Sequence, residues 1–511
     1  MKKLTFLART SILLAVFFAL DKGLAIVRQV IIARQFGLSS SLDAFNAANN
    51  LPDMLFALIS GGALAIAFIP VLSEVLTREG RDAAWLLFSR VTNLALVVTA
   101  VLAVVIAVIA EPLVHWQIGI APGFTPDQQR LVADLMRWNL VATLIFSISG
   151  LVMAGLQANQ HFLLPALAPL LYNFGQIFGA LVLSPTQPYH FGPLHLPAYG
   201  MGVHGRVYGV IAGAALHLAI QIPGLLRYHF HWVPQIGLDN PAVRQVLRLL
   251  GPRLATMFFI QLVFIIRDNM ASRLAPGAVS ALTYGWMIMQ VPETLIGTAI
   301  GTAMLPTLAE LAARGEWSSF RETVDRAVRV LLALTIPVAV VASLGLRPLV
   351  VLAFHFDAPG TDLILWVTRV YLFGIIAHSL LEVISRGFYA QQEARIPLLA
   401  AFLNAVLYLL LSVVLIGPLG APGIALANTL SFSAEAMLLI WWLNRRLPGR
   451  FEWGGTLLRT CGGTLAAGLL MTLLMRAAPV PQAVLAVLAA CAGGLAALPF
   501  IWREMRLLIH L

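Results

Sequence analysis

Residues 94–110 read LALVVTAVLAVVIAVIA, seventeen positions in a row without a charge. As a helix rising about 1.5 Å per residue, such a run nearly crosses a hydrocarbon core of about 30 Å. Lipid offers the backbone no water to bond, so a stretch like this must satisfy its own amides as a helix. Similar runs recur from one end of the chain to the other. Dividing at polar, Pro and Gly breaks yields about fourteen apolar segments of about 20 residues or more. They lie near 8–34, 52–76, 84–110, 132–156, 162–183, 207–226, 242–269, 279–312, 322–345, 362–389, 396–416, 420–444, 455–476 and 482–504. The segment 279–312 is long enough to be tilted or broken. Only 11% of the 511 residues are charged and 59% are hydrophobic, against about 25% charged in a soluble domain. The expected fold is an all-α polytopic membrane protein with about 14 transmembrane helices.

The net charge of +10 does not point to nucleic acid, because its distribution explains it. With the N-terminus in the cytoplasm, the inner loops receive Lys2, Lys3, Arg9, Arg78, Arg81, Arg227, Arg244, Arg314, Arg321, Arg386, Arg395, Arg445, Arg446, Arg450, Arg503 and Arg506. The outer loops receive Arg130, Arg206, Arg273, Arg347 and Arg476. This is the positive-inside bias, and it places both ends of the chain in the cytoplasm. The opening MKKLTFLARTSILLAVFFAL has no small-residue cleavage site before DKG, so it reads as an uncleaved first helix. Cys461 and Cys491 both fall in apolar segments, which signals neither a disulfide framework nor a metal cluster. There is no G-x-x-x-x-G-K-[ST] loop, no H-E-x-x-H and no nucleophile elbow, so neither nucleotide hydrolysis nor enzymatic catalysis is expected, and no cofactor.

A weak repeat appears at an offset of about 240 residues. Arg28-x5-Arg34 finds Arg267-x5-Arg273, LP at 51–52 finds VP at 291–292, and GGALAIAFIP (61–70) finds GTAIGTAMLP (297–306). Six spans separate the copies, so both halves enter the membrane the same way round. Parallel repeats of this kind are a transporter architecture. The expected division is an N-lobe at 1–235 with spans 1–6, a C-lobe at 236–446 with spans 7–12, and an appended pair at 447–511.

Charges inside such segments need a reason, since an Arg at mid-bilayer costs about 2.5–3.5 kcal/mol on insertion scales. Asp21 and Arg28 lie nearly two turns apart on one face, about 10 Å from each other. That is too far for a direct pair and suits the lining of one polar chamber. Lys22 and Gln29 share the neighbouring stripe. Arg34 either snorkels to the interface or joins the chamber. Asp43, after three serines, either caps the second helix or pairs with a cavity arginine. Arg267 and Asp268 adjoin near the end of span seven and, as helix neighbours, need not neutralise each other; they either anchor the outer interface with Arg273 or serve the substrate. Glu382 and Arg386 read as a structural i,i+4 pair. A cavity with more positive than negative charge suits an anion, and the guanidinium fork matches phosphate oxygens.

Several stretches carry a resemblance to a known family. They are VRQVIIARQFGLSSSLDAFNAANNLPDML (27–55), GGALAIAFIPVLSE (61–74), APGF (121–124), FLLPALAPLLYN (162–173), SALTYGWMIMQVPETLIGTAIGTAMLPTLAELAARGEW (280–317) and ISRGFYAQQEARIP (384–397). In this order they resemble the MurJ/MviN family of lipid II flippases, in the multidrug/oligosaccharidyl-lipid/polysaccharide exporter superfamily. The resemblance implies two six-helix lobes, a central cationic cavity, and a lipid-tail groove formed with helices 13 and 14. It implies a bacterial inner-membrane flippase that moves undecaprenyl-diphosphate linked to a disaccharide-pentapeptide from the inner to the outer leaflet by alternating access. Membrane potential or a coupling ion is the implied driving force. Residue by residue, the helix-one arginine falls on Arg28, the aspartate before helix two on Asp43, and the cationic position six before Arg28 on Lys22. The chain departs from the pattern at Gln29, where a carboxylate often follows the first arginine, and at Phe56 and Met287, where arginines are expected. It departs again at Gln290, at an acidic position; Arg267 is the candidate for second-lobe charge. Two other readings stand beside this one: a flippase for another polyprenyl-diphosphate glycan, and a cation-coupled drug exporter of the same superfamily. A scaffold that recruits cell-wall enzymes would have no need of buried arginines.

Overall fold

The computed structural model describes residues 6–60, 62–191, 194–449, 451, 453–477 and 481–507. Lys2, Lys3 and Arg450 of the basic inner loops lie outside the described residues. The chain divides into two compact units, Met1–Asn269 and Met270–Leu511. The division falls in the last turn of the helix that was expected to open the second lobe at 236.

In the first unit α1 (Phe6–Phe36) is followed by three pieces, α2 (Ser40–Ala48), α3 (Asn50–Leu55) and α4 (Gly62–Arg78). Then come α5 (Arg81–Val108), the short α6 (Ala110–His115), α7 (Pro126–Ala158) and α8 (Leu163–Phe178). A two-stranded antiparallel hairpin, β1 (Tyr189–Phe191) and β2 (Leu194–Leu196), fills the longest polar stretch. After it run α9 (Val203–Ala219), α10 (Ile222–Arg227) and α11 (Pro241–Ala271). The second unit holds α12 (Ala278–Glu293), α13 (Ala299–Arg314), α14 (Trp317–Phe354), α15 (Ala358–Ala390), α16 (Arg395–Leu419), α17 (Ala421–Arg446), α18 (Gly454–Ala477) and α19 (Gln482–Leu507). Among the described residues twelve stretches, from Arg81–Val108 to Gln482–Leu507, are helices long and apolar enough to cross a membrane. Helix α1 and the broken stretch α2–α4 occupy the first two of the fourteen expected segments. Large apolar side chains such as Val104, Val108, Val414 and Leu458 stand exposed along these helices, a surface suited to lipid.

Local chemistry sets the ends. Ser39 caps α2, accepting from the Leu42 amide at 3.3 Å. Thr125 caps α7, with Pro126 in its first turn, and Asp357 caps α15 through the Gly360 amide at 3.0 Å. Two spans are broken in the same manner. A π-turn at Phe56–Ser60 separates α3 from α4, and another at Thr294–Thr298 separates α12 from α13. Each follows a proline, Pro52 or Pro292, whose missing N–H and bulky ring unsettle the ladder. The long segment expected to be tilted or broken is therefore a single span with a π-turn inside it.

Glycines let α8 and α9 approach to backbone contact. A Cβ added at Gly175 would lie 2.3 Å from the Gly213 Cα, and one at Gly179 would lie 2.6 Å from the Gly209 Cα. The spacing is four on both sides, 175/179 against 205/209/213, with Gly179 opening a π-turn, Gly179–Leu183, that continues α8; this is the small-residue packing of membrane helices. In the second unit α18 and α19 pack on each other and along α14. Arg459 and Thr456 both donate to Glu504 Oε1, the Thr456 bond being 3.0 Å, which ties the last two helices together.

Candidate substrate site

The close packing of α8 beside α9 fixes where α8 presents its single asparagine, Asn173, toward α1. Arg28 Nη1 donates to Asn173 Oδ1 at 2.8 Å, and Asn173 Nδ2 donates to Asp21 Oδ1 at 2.8 Å. Only one orientation of the amide satisfies both partners, oxygen toward the cation and nitrogen toward the anion. The two-turn gap between Asp21 and Arg28 is thus spanned by a neutral bridge from another helix. Arg28 keeps donors in reserve: its Nε is buried and has no hydrogen-bond partner among the described residues. Beside Asn173 stands Tyr172, edge-on to Phe146 with ring centroids 5.0 Å apart.

A second group of charges lies near the end of α11. Asp268 is wholly buried; its Oδ1 accepts from Arg267 Nε at 2.7 Å and its Oδ2 from Asn50 Nδ2 at 2.8 Å. The expectation that these helix neighbours need not neutralise each other is corrected here. The long arginine side chain folds back along the helix, and two charges this buried are retained only as a pair. Asn269 extends the contact by donating to the carbonyls of Gln117 and Gly119. Asp268 and Asn269 therefore dock the end of α11, and Arg267 balances the Asp268 charge.

Asp43 is 1% exposed in the first turn of α2, and the cap is Ser39 rather than Asp43. Arg206, expected in an outer loop, instead sits in the first turns of α9. It is buried, with its guanidinium 3.8 Å from the centroid of Phe45 and 5.9 Å from that of Phe36. Lys22 is exposed and lies over Phe18, 5.1 Å from the ring centroid. Arg34 is exposed near the end of α1 and Gln29 is half-buried. Gln290 is exposed on α12 in the second unit. Phe56, where the resemblance implied an arginine, packs edge-on to Phe146 at 5.1 Å.

Asn173 and Arg206 were missed in the sequence. Asn173 is a lone amide closing the apolar run FLLPALAPLLYN, and a lone amide in lipid needs a polar partner; that signal was available. Arg206 carried none, because its position beside a polar loop looked like an interface. The pair Glu382–Arg386 is present as expected.

An all-helical chain with paired charges held inside its spans is a polytopic membrane protein of the transporter class. The lipid II flippase MurJ family model matches residues 32–493. The chain is 30% identical to the lipid II flippase MurJ of Burkholderia cenocepacia over 441 residues, covering 84% of this chain and 82% of that one. It is 28% identical to the probable lipid II flippase MurJ of Thermotoga maritima, with 83% of each covered. Among solved structures, a lipid II flippase MurJ in an inward closed conformation superposes with a TM-score of 0.80 at 20% identity, over 98% of this chain and all of that one. An inward-facing multidrug resistance MATE family transporter of the MOP superfamily superposes at 0.69 and 14% identity, over 83% of this chain and 94% of that one. The chain belongs to the lipid II flippase MurJ family.

Proposed function

We propose that this protein carries lipid II, undecaprenyl-diphosphate linked to a disaccharide-pentapeptide, from the inner to the outer leaflet of the bacterial cytoplasmic membrane. It does so by alternating access, with the family's lobes at 1–235 and 236–446 and the pair at 447–511 serving the lipid tail. Family membership across residues 32–493 carries this reading. Arg28 supports it chemically: a guanidinium with a buried, unused donor is suited to a diphosphate oxygen, and Asp21 holds it in place through Asn173. Within the first unit Lys22, Arg34, Asp43 and Arg267 are further candidates for substrate contact, with Asp21, Gln29 and Asp268 in support, and Gln290 is a candidate in the second unit. A membrane potential or a coupling ion drives the cycle, and both termini lie in the cytoplasm.

The test is to deplete the resident flippase in a bacterium, express this chain, and measure lipid II in the outer leaflet. Transport is expected to be restored. A hydrogen bond to a charged group is worth about 1.5–3 kcal/mol, so Arg28→Ala should lower transport by about tenfold to a hundredfold. Full transport by that variant would remove Arg28 from the site and leave the function standing.

A second reading is favoured by one observation. Phe56 and Met287 stand where the family pattern has arginines, and Phe56 is committed to packing on Phe146. A cavity altered in this way suits another polyprenyl-diphosphate glycan. Good membrane insertion without lipid II transport would select that substrate instead.

A further inference from the structure

The second unit contains a polar cluster for which diphosphate binding has no use. It lies where α12 passes through the π-turn Thr294–Thr298 into α13, against α15. Glu293 ends α12, and its two oxygens accept from Thr298 Oγ1 at 3.3 Å and from Thr294 Oγ1 at 3.5 Å. On α15, Arg386 pairs with Glu382 and also donates to Thr302 Oγ1 at 3.2 Å. Glu382 and Arg386 are the charged groups that act on Glu293. Two carboxylates and one guanidinium leave one negative charge without a partner. In a membrane span that charge calls for a positive one.

A second observation brings a buried hydroxyl to this carboxylate. A Cβ added at Gly297 would lie 2.8 Å from both the Ser379 Cα and Oγ and 2.9 Å from Glu293 Oε1, so this glycine lets α15 close on the π-turn and sets the two oxygens near each other. Ser379 is fully buried, and its hydroxyl has no hydrogen-bond partner among the described residues. A buried hydroxyl with no partner in the chain is open to one supplied from outside it. Here the unsatisfied oxygen faces a carboxylate that has charge to spare. Glu293 and Glu382 are themselves only half-buried, which leaves a way in.

We propose that Glu293, Ser379 and Thr298 hold one monovalent cation, a proton or a sodium ion, with Glu382 and Arg386 as a fixed ion pair beside it. Oxygen ligands of this kind suit a hard cation. Loading of the site would couple an ion gradient to transport; that role rests on the flippase reading, whereas the binding itself does not.

The test uses the purified full-length protein in detergent and requires no lipid II. Melting temperature is followed as NaCl replaces KCl at constant ionic strength, and proton uptake is titrated between about pH 5 and 9. For a sodium site, sodium raises the melting temperature of the wild type to a plateau. Glu293→Gln abolishes the rise, and Ser379→Ala shifts it to several-fold higher sodium. For a proton site, sodium has no effect, and the wild type takes up one proton more than Glu293→Gln as the pH falls. Wild type and Glu293→Gln that respond identically to sodium and to acid would overturn the proposal. Lost transport with intact cation binding would instead count against the flippase reading.

Discussion

Asn173 accepts from a cation with one end of its amide and donates to an anion with the other, so removing it disturbs both at once. In Asn173→Ala the Arg28 guanidinium loses its hydrogen bond to Asn173, and Asp21 loses its link to Arg28. Each bond to a charged group is worth about 1.5–3 kcal/mol. Transport should fall by at least about tenfold, with the melting temperature lowered as well. The bridge also predicts non-additivity: Asp21→Ala on top of Asn173→Ala should cost much less than Asp21→Ala alone, because residues in one network share their effect. A double-mutant cycle on transport checks this, and simple addition of the two losses would show that the bridge does not act as a unit. At this scale the sequence was partly legible. The helical repeat placed Asp21 and Arg28 on one face and showed them too far apart to touch. It carried no information on which residue of a distant segment fills the gap. At 267–268 the repeat misled, because the reach of an arginine side chain is set by how deeply it is buried and not by the angle between neighbours on a helix.

Helices in this protein are positioned by what their small residues allow. The α8–α9 contact rests on glycines at a spacing of four on each helix, and Gly209 has no room for a side chain. A Cβ there would lie 2.6 Å from the Gly179 Cα, a backbone atom that cannot turn aside. Gly209→Ala should therefore push the helices apart and destabilise the protein by about 1–3 kcal/mol, as overpacking does. Gly494 in α19 makes the comparison, since a Cβ there meets nothing within 4 Å. Gly494→Ala should leave the melting temperature unchanged or raise it slightly. Equal melting temperatures for the two variants would show that the α8–α9 contact tolerates separation. At α8–α9 the interior glycines are packing residues. Their pairing was not legible, since a glycine does not name the helix it meets. The π-turns were half legible. The repeat of LP and VP ahead of two glycine-bearing runs marked equivalent places about 240 residues apart, and the two turns fall there, but the extra residue in each turn leaves no compositional trace.

For the whole chain, hydropathy and charge decide how many times it crosses the membrane and which loops face which side. Among the described residues twelve of the fourteen expected segments are helices long and apolar enough to cross, and they were legible because lipid enforces one rule on every segment, that a crossing backbone bonds to itself. Segment 40–78 was harder, because its three short helices dilute the apolar run with Ser, Asn and Asp. Sidedness depends on where the arginines finally rest, and Arg206 shows that an arginine near a loop can be buried and excluded from the count. Removing Arg206 from the outer set sharpens the bias, since the outer loops then hold even fewer basic residues. The positive-inside bias predicts the segment 184–202 outside and the turn between α13 and α14 inside. Gln187 and Ser318 are both exposed, one in each of these places. Single cysteines introduced there, Gln187→Cys and Ser318→Cys, in a background with Cys461 and Cys491 changed to serine, report the orientation directly. A membrane-impermeant thiol reagent applied to intact spheroplasts should label the first and spare the second. Permeabilising the membrane should make the second react equally. The reverse pattern would invert the chain and place both termini outside, and a lipid II carrier would then have to load its substrate through what is now taken as its exit.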